Sequence, residues 1–172
     1  MRIIENFDSK NYEMCLGYFH RVAVRAIIIK EGKIALIRSE KYKEYKFPGG
    51  GKEDGESDSA TLIRETMEET GLSVVPGSIK PYGVAIEKRR SVIDPNDLFE
   101  MESYYYLCDV LDLLGSTNLD DYENEYGYQL QFVDINQAIK ANEKAALSHQ
   151  NEAPWINREL AVFKDIKKYF DL

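Results

Sequence analysis

Short apolar segments of strand length alternate with charged turns over much of this 172-residue chain. His20–Lys30 is rich in β-branched residues, Glu31-Gly32 indicates a turn, and Lys33–Arg38 predicts the returning strand of a hairpin. Residues 1–19 have no clear period and are interpreted as an N-terminal arm or an entry strand. The same criteria predict further strands near Tyr45–Phe47 and at Leu72–Val75, Tyr82–Lys88, Met101–Val110 and Tyr128–Val133.

A helix is predicted over Asp58–Thr70, because local start and stop signals bracket it. Ser57 is a suitable N-cap residue, and Gly71 is suited to the left-handed backbone that ends many helices. Two more helices are predicted, at Ile135–Lys144 and Asn157–Phe170. In the first helix the apolar residues at helical spacing are expected to face the core; they are Ala60, Ile63 and Met67.

The order of these elements predicts an α/β fold, with a mixed sheet covered by helices in an α/β/α sandwich. Between the strands, residues 94–97 predict a turn and Gly115–Glu125 predicts an acidic loop. No repeat or Pro/Gly-rich linker interrupts the pattern, and the length suits one core. One domain is therefore expected over residues 1–172.

Composition and charge narrow the class of partner. Hydrophobic residues make up 44% and charged residues 30%, and the net charge is −8. An acidic chain is poorly suited to long nucleic acid, whose backbone attracts basic proteins. A small phosphorylated substrate remains compatible, because a bound divalent cation can reverse the local sign of charge. The sequence shows neither a membrane-length apolar run nor a secretory signal, so we expect a cytoplasmic protein with Cys15 and Cys108 as reduced thiols.

Three glutamates of the first predicted helix form an acidic cluster. Glu65, Glu68 and Glu69 lie at positions i, i+3 and i+4, so they share one helix face. Like charges at this spacing repel by about 0.2–0.5 kcal/mol per pair, and Arg64 can offset only part of that cost. A hard divalent cation with oxygen ligands would compensate the cluster. Most acidic helix faces are simply solvated, so the cluster alone is weak evidence for a metal.

The wider spacing makes the metal interpretation much stronger. From Gly50 to Leu72 the chain follows the pattern Gly-x5-Glu-x7-Arg-Glu-U-x-Glu-Glu-x-Gly-U, where U is aliphatic, with Thr66 as the one departure. Seven specified residues at typical usage give a chance match on the order of 10⁻⁸ per window. This segment resembles the Nudix box, and the preceding Phe47-Pro48-Gly49-Gly50 resembles the usual lead-in of that family.

The resemblance implies a loop–helix–loop that binds Mg²⁺ or Mn²⁺. Carried onto this chain, it assigns Arg64 to holding the glutamates in place by charged hydrogen bonds. Glu56 and Gly50 would be accessory residues. The implied metal ligands are the carboxylates of Glu65, Glu68 and Glu69 and the carbonyl of Gly49.

The general base has two candidate locations. In many relatives it is a glutamate of the box, which here favours Glu65. In others it lies in the loop before the last strand of the sheet, where this chain has Glu123 and Glu125. As isolated residues both are more often plain solvated acids. We place Glu125 slightly ahead of Glu123, because it is closer to the Tyr128 strand.

The function implied by the resemblance is metal-dependent hydrolysis of a diphosphate linkage in a nucleotide-like substrate, such as a nucleoside triphosphate, a nucleotide sugar or ADP-ribose. Two alternatives stay open. A nucleotide-sensing binding module would usually have lost box glutamates, and none is lost here. An RNA 5′-end pyrophosphohydrolase is disfavoured by the acidic charge only for a long RNA groove. Many relatives dimerise, so a homodimer is compatible, and no substrate-binding residue is singled out.

Overall fold

A computed structural model describes residues 1–149 and 152–172, with the backbone alone at residues 112–114. The helices are α1 (Asp58–Thr70), α2 (Asp121–Tyr126), α3 (Ile135–Ser148) and α4 (Trp155–Phe170). The strands are β1 (Ile3–Asp8), β2 (Gly17–Ile27), β3 (Ile29–Lys30), β4 (Lys33–Arg38), β5 (Tyr45–Lys46), β6 (Gly49–Gly51), β7 (Leu72–Val74), β8 (Lys80–Arg90), β9 (Asp97–Leu107), β10 (Val110–Leu114) and β11 (Gln129–Val133).

The largest sheet has five strands in the order β1-β8-β9-β2-β6. Its pairing is mixed: β2 runs parallel to β9, while β8–β9 and β2–β6 are antiparallel. A second sheet has the order β11-β4-β3, with β5 also paired to β4. The glycine strand β6 is thus held at the edge of the larger sheet, next to the start of the box.

Two apolar clusters fill the space on either side of the strands, because successive strand residues point to opposite faces. Ile27, Tyr105 and Phe47 pack with Phe163 and other residues of α3 and α4. Val24, Ala26 and Ile28 face the other way and pack with Leu62 of α1. Helices therefore cover both faces of the strands, which confirms the predicted α/β/α sandwich.

Helix α1 has the predicted bounds. The Ser57 side chain accepts a hydrogen bond from the Ala60 amide, and Gly71 ends the helix at φ 72°. Its predicted inward face was wrong at Ala60, which is exposed, and only partly right at Ile63 and Met67, which are half-buried. The face of α1 that packs against the strands contains both apolar and polar residues. The buried residues are Thr61, Leu62, Thr66, Glu69 and Thr70.

Two predicted segments differ from the structure. The strand expected over Met101–Val110 is interrupted after Leu107, because the Cys108 amide bonds to the Ile27 carbonyl and the chain then leaves β2 to pair with β7. The acidic loop expected over Gly115–Glu125 contains the start of α2, whose Glu123 carboxylate accepts a hydrogen bond from the Asp120 amide at 2.9 Å. The helix therefore orients the acidic side chains of this segment.

The N-terminal segment is a strand and not a loose arm. Strand β1 pairs in parallel with β8, and Arg2 forms an ion pair with Asp165 of α4. The ends of the chain are thereby joined on one side of the sheet. None of the helices within residues 1–149 and 152–172 is long and apolar enough to cross a membrane.

Candidate metal and catalytic site

The glycine run of β6 lets the backbone lie directly against β2. Gly49 has φ 130°, and a Cβ there would lie 2.1 Å from the Val24 carbonyl oxygen, so only glycine fits. The Gly49 amide donates to Glu69 Oε2 at 2.6 Å, and the Gly49 carbonyl accepts from Arg25 Nη1 at 3.1 Å. The loop is thus tied to the box helix on one side and to β2 on the other.

The guanidinium of Arg64 donates hydrogen bonds to three box glutamates. Its Nη1 donates to Glu65 Oε1 at 2.8 Å and to Glu68 Oε2 at 3.1 Å. Its Nε and Nη2 form a paired contact with the two oxygens of Glu56 at 2.8 and 2.9 Å. Nη2 also donates to the Gly51 carbonyl at 3.2 Å, so one side chain links the helix to the glycine strand.

Glu56 binds the Nε and Nη2 atoms of Arg64, whereas Glu65 and Glu68 bind its Nη1. Besides Arg64, Glu56 accepts hydrogen bonds from the Thr61 hydroxyl at 2.8 Å and from the Glu53 amide at 3.1 Å. These donors, with Arg64 first, lower the pKa of Glu56 to about 2. Its carboxylate is therefore an anchor for Arg64, as its accessory position in the box suggests.

Glu65 is pressed against the glycine strand. A Cβ on Gly50 would lie 2.3 Å from Glu65 Oε2, so any larger residue at position 50 would displace the carboxylate. Burial raises the pKa of Glu65, although Arg64 opposes the shift. A carboxylate held in such surroundings gains most from a positive charge placed next to it.

The Glu69 carboxylate is buried and lies next to other charged groups. Its Oε1 accepts from Lys46 Nζ at 2.6 Å while its Oε2 accepts from the Gly49 amide, and its side chain is 2% exposed. Glu123 Oε1 lies 3.9 Å from the same Lys46 nitrogen. Burial, and then the charge of Glu69, raise the pKa of Glu123. The loop glutamate and the box glutamate therefore lie next to each other and next to the same ammonium group.

The two loop glutamates, Glu123 and Glu125, lie in different surroundings. Glu125 was placed slightly ahead, but its side chain is 69% exposed and pairs with Lys41 on the surface. Glu123 is buried beside Glu69, since α2 turns it inward and the Tyr122 hydroxyl and the Asp120 amide hold it. The structure therefore brings Glu123 and not Glu125 next to the box helix, because helical position sets the direction of a side chain, and the identity of the base stays a prediction.

The donor set suits a hard divalent cation, since it consists of carboxylate and carbonyl oxygens. Glu65 and Glu68 meet at one nitrogen of Arg64, and Glu65 is desolvated. In the part of the chain that the structure describes, no three acidic, histidine or cysteine side chains form a ready-made metal site. Arg64 and Lys46 stand between the carboxylates that a metal would draw together.

Several polar residues that support the site were missed by sequence reasoning. Arg25 donates to the carbonyls of Phe47 and Gly49, and the buried Glu159 of α4 accepts from the Phe47 amide at 3.1 Å. Lys46 was also missed. The signal for it was its place between the core residues Tyr45 and Phe47, since a strand residue between two inward neighbours must face the opposite side.

Similarity to known proteins extends well beyond the acidic cluster. A family model described as the NUDIX domain matches residues 19–156. An ADP-ribose pyrophosphatase from Methanocaldococcus jannaschii is 42% identical over 76 residues, which are 41% of this chain and 43% of the relative. The "Nucleoside diphosphate-linked moiety X motif 6" protein of Xenopus laevis is 39% identical over 57 residues, which are 31% of this chain and 26% of the relative. The chain thus spans less than half the length of either curated relative.

A solved structure is similar over a longer range. The NUDIX hydrolase from Nitrosomonas europaea has a TM-score of 0.56 and 20% identity, with 82% of this chain and 91% of that chain covered. At this identity the likeness concerns the fold, which is the same kind of mixed sheet between helices.

Proposed function

Because this chain belongs to the Nudix domain family, we propose that it is a hydrolase that cleaves a diphosphate linkage in a nucleoside diphosphate-linked substrate with the help of a divalent ion. The observation that carries the proposal is the junction of Glu65 and Glu68 on Arg64, next to a glycine strand that admits the Glu65 carboxylate only because position 50 has no side chain. Arg64 supplies one positive charge to Glu56, Glu65 and Glu68, so a divalent ion next to Glu65 and Glu68 would balance the negative charge that remains.

The ion would be held by the carboxylates of Glu65, Glu68 and Glu69, with the Gly49 carbonyl as a further ligand. Mg²⁺ is the ion we propose, with Mn²⁺ as a substitute, because both prefer oxygen ligands and Mg²⁺ sites commonly combine a few carboxylates with phosphate oxygens. When bound, the ion supplies neutralising charge and Lewis acidity for the diphosphate.

The protein's own residues would orient the substrate and accept a proton. A water oxygen attacks one phosphorus, the bridging P–O bond breaks, and the second phosphate leaves with the bond electrons. The water proton passes to a carboxylate, for which Glu65 and Glu123 are the two candidates. The burial of Glu123 and its raised pKa suit a base better than the exposed, lysine-paired Glu125. Arg64 would keep Glu65 and Glu68 in place throughout.

ADP-ribose is the first substrate to test, because the Methanocaldococcus relative is named an ADP-ribose pyrophosphatase. The assay is a panel of ADP-ribose, nucleotide sugars, nucleoside triphosphates and dinucleoside polyphosphates, each with Mg²⁺ and with Mn²⁺. Products are identified by mass. We expect two phosphorylated products from at least one compound, and none when the divalent ion is removed by chelation. Failure of the whole panel with both ions would refute the proposal.

The substitution Glu68→Gln separates an enzyme from a nucleotide sensor. It keeps the size of the side chain but removes the charge offered to the ion, so turnover should fall by at least about 100-fold. The matched control is Glu143→Gln, an exposed glutamate on α3, which should retain wild-type turnover. A Glu68→Gln variant that hydrolyses substrate at the wild-type rate would contradict the assigned role.

A further inference from the structure

Lys46 is a buried cation inside the acidic cluster. It is 8% exposed, and its Nζ lies 2.6 Å from Glu69 Oε1 and 3.9 Å from Glu123 Oε1. The same nitrogen lies 4.0 Å from the centroid of the Tyr128 ring. A lysine at this depth needs compensating charge on several sides, and these three groups supply it.

The strand places Lys46 there and not on the surface. Strand β5 is short and pairs with β4 through Tyr45 and Lys46. Tyr45 and Phe47 belong to the apolar cluster under α3 and α4, so the residue between them faces the box helix. The side of the strand on which Lys46 lies is therefore set by the fold.

The two carboxylates around Lys46 form the kind of pair that binds a divalent ion. Glu69 and Glu123 are 4% and 5% exposed, and both carry oxygen ligands. Mg²⁺ and Mn²⁺ sites often use only one or two carboxylates, with water completing the shell. One ammonium can balance only one of two ionised carboxylates, whereas a divalent ion in that position would balance both.

We propose that Lys46 takes the place of a divalent ion between Glu69 and Glu123. The chain therefore binds one divalent ion fewer than it would bind without the charge of Lys46. This inference rests on the proposed function, since it presumes that a divalent ion binds at the neighbouring box glutamates. Glu123 then remains free of metal and available to accept a proton.

The test counts the Mn²⁺ ions bound by the full chain, from the electron paramagnetic resonance signal of free Mn²⁺ during titration. The variants Lys46→Met and Lys46→Gln remove the charge and should each bind about one more ion per chain than the wild type, because Mn²⁺ can then use the two carboxylates. Lys46→Arg keeps the charge and should bind the wild-type number. Lys41→Met removes the surface partner of Glu125 and is the matched control, also with the wild-type number.

Two further variants make the outcome decisive. Adding Glu123→Gln to Lys46→Met should remove the additional ion, whereas Glu123→Gln in the wild-type background should leave the ion count unchanged. The ion count of the Glu123→Gln single variant tests the inference even if neither uncharged Lys46 variant folds, as judged by circular dichroism. Loss of an ion in the Glu123→Gln single variant would overturn the inference, as would equal counts in the wild type and a folded Lys46→Met variant.

The same titration distinguishes this inference from the proposed function. If the wild type binds Mn²⁺ and removal of the Lys46 charge adds nothing, only the inference fails. If neither the wild type nor the Lys46 variants bind Mn²⁺ at all, the divalent-metal site itself is refuted, and the inference with it.

Discussion

Substitution Arg158→Met should destabilise the protein strongly, because Arg158 is the central cation of a buried charge cluster behind the site. Arg158 contacts Glu87, and its Nη2 donates to Glu159 Oε1 at 2.7 Å. The exposed fractions of Arg158, Glu87 and Glu159 are 3%, 4% and 0%. Although burial opposes ionisation, Arg158 and then Arg25 lower the pKa of Glu159. The cluster therefore depends on its arginines.

The magnitude follows from the carboxylates that would be left behind. Removing one partner of a buried ion pair typically costs about 3–5 kcal/mol. Here two carboxylates lose their main cation, and each keeps only a more distant one: Arg25 Nε at 3.8 Å from Glu159 and Arg89 Nε at 3.9 Å from Glu87. We therefore expect a loss within that range, which is a large part of the roughly 5–15 kcal/mol typical of a folded domain.

Urea unfolding followed by circular dichroism measures this loss. With an m-value of about 2 kcal/mol/M, the midpoint should fall by roughly 1.5–2.5 M. The control is Lys164→Met on the same helix, where Lys164 pairs with Glu143 at 2.9 Å on the surface. An exposed pair of this kind contributes less than about 1 kcal/mol. If Arg158→Met and Lys164→Met unfolded at the same urea concentration, the assigned role of the buried cluster would be refuted.

Three further predictions concern the site itself. Gly50→Ala should displace the Glu65 carboxylate and lower turnover by about 100-fold. The control Gly77→Ala, where a Cβ meets no atom within 4 Å, should have wild-type turnover, and equal rates for the two variants would contradict the packing argument. Glu123→Gln should lower kcat by about 10²–10⁴-fold and Glu125→Gln by less than about twofold, and the reverse order would restore the exposed residue as the base. The free energy that Glu56 contributes to folding, measured by urea unfolding of wild type and Glu56→Gln, should be complete above its ordinary pKa of 4.5 and disappear as the pH falls through about 2, because its pKa is lowered in the folded state. A contribution that grows in acid would be inconsistent with this.

Local signals explain why the box helix could be predicted from the sequence to the residue. Ser57 caps its start and Gly71 supplies the left-handed stop, and both act within one turn of the helix. The fold class was also accessible, because alternation of apolar residues determines which strand faces are covered. The interruption of the strand after Leu107 was not, since it results from a change of pairing partner.

The parts of the site that escaped prediction depend on side-chain direction. Glu123 and Glu125 are two residues apart in the sequence, yet α2 points one inward and the other to solvent. The Asp120 and Glu123 spacing is a local signal for a helix start and would have favoured Glu123. The partners of Lys46 come from α1 and α2, which lie far along the chain, so no local pattern reports them.

A crystal structure determined with Mn²⁺, using the anomalous signal of the ion, shows whether the box glutamates bind a divalent ion. We expect an anomalous peak at ligand distance, about 2.0–2.3 Å, from oxygens of Glu65, Glu68 and Glu69. The metal assignment would be refuted by a crystal in excess Mn²⁺ in which no peak adjoins these oxygens and Glu65 and Glu68 stay bound to Arg64 alone.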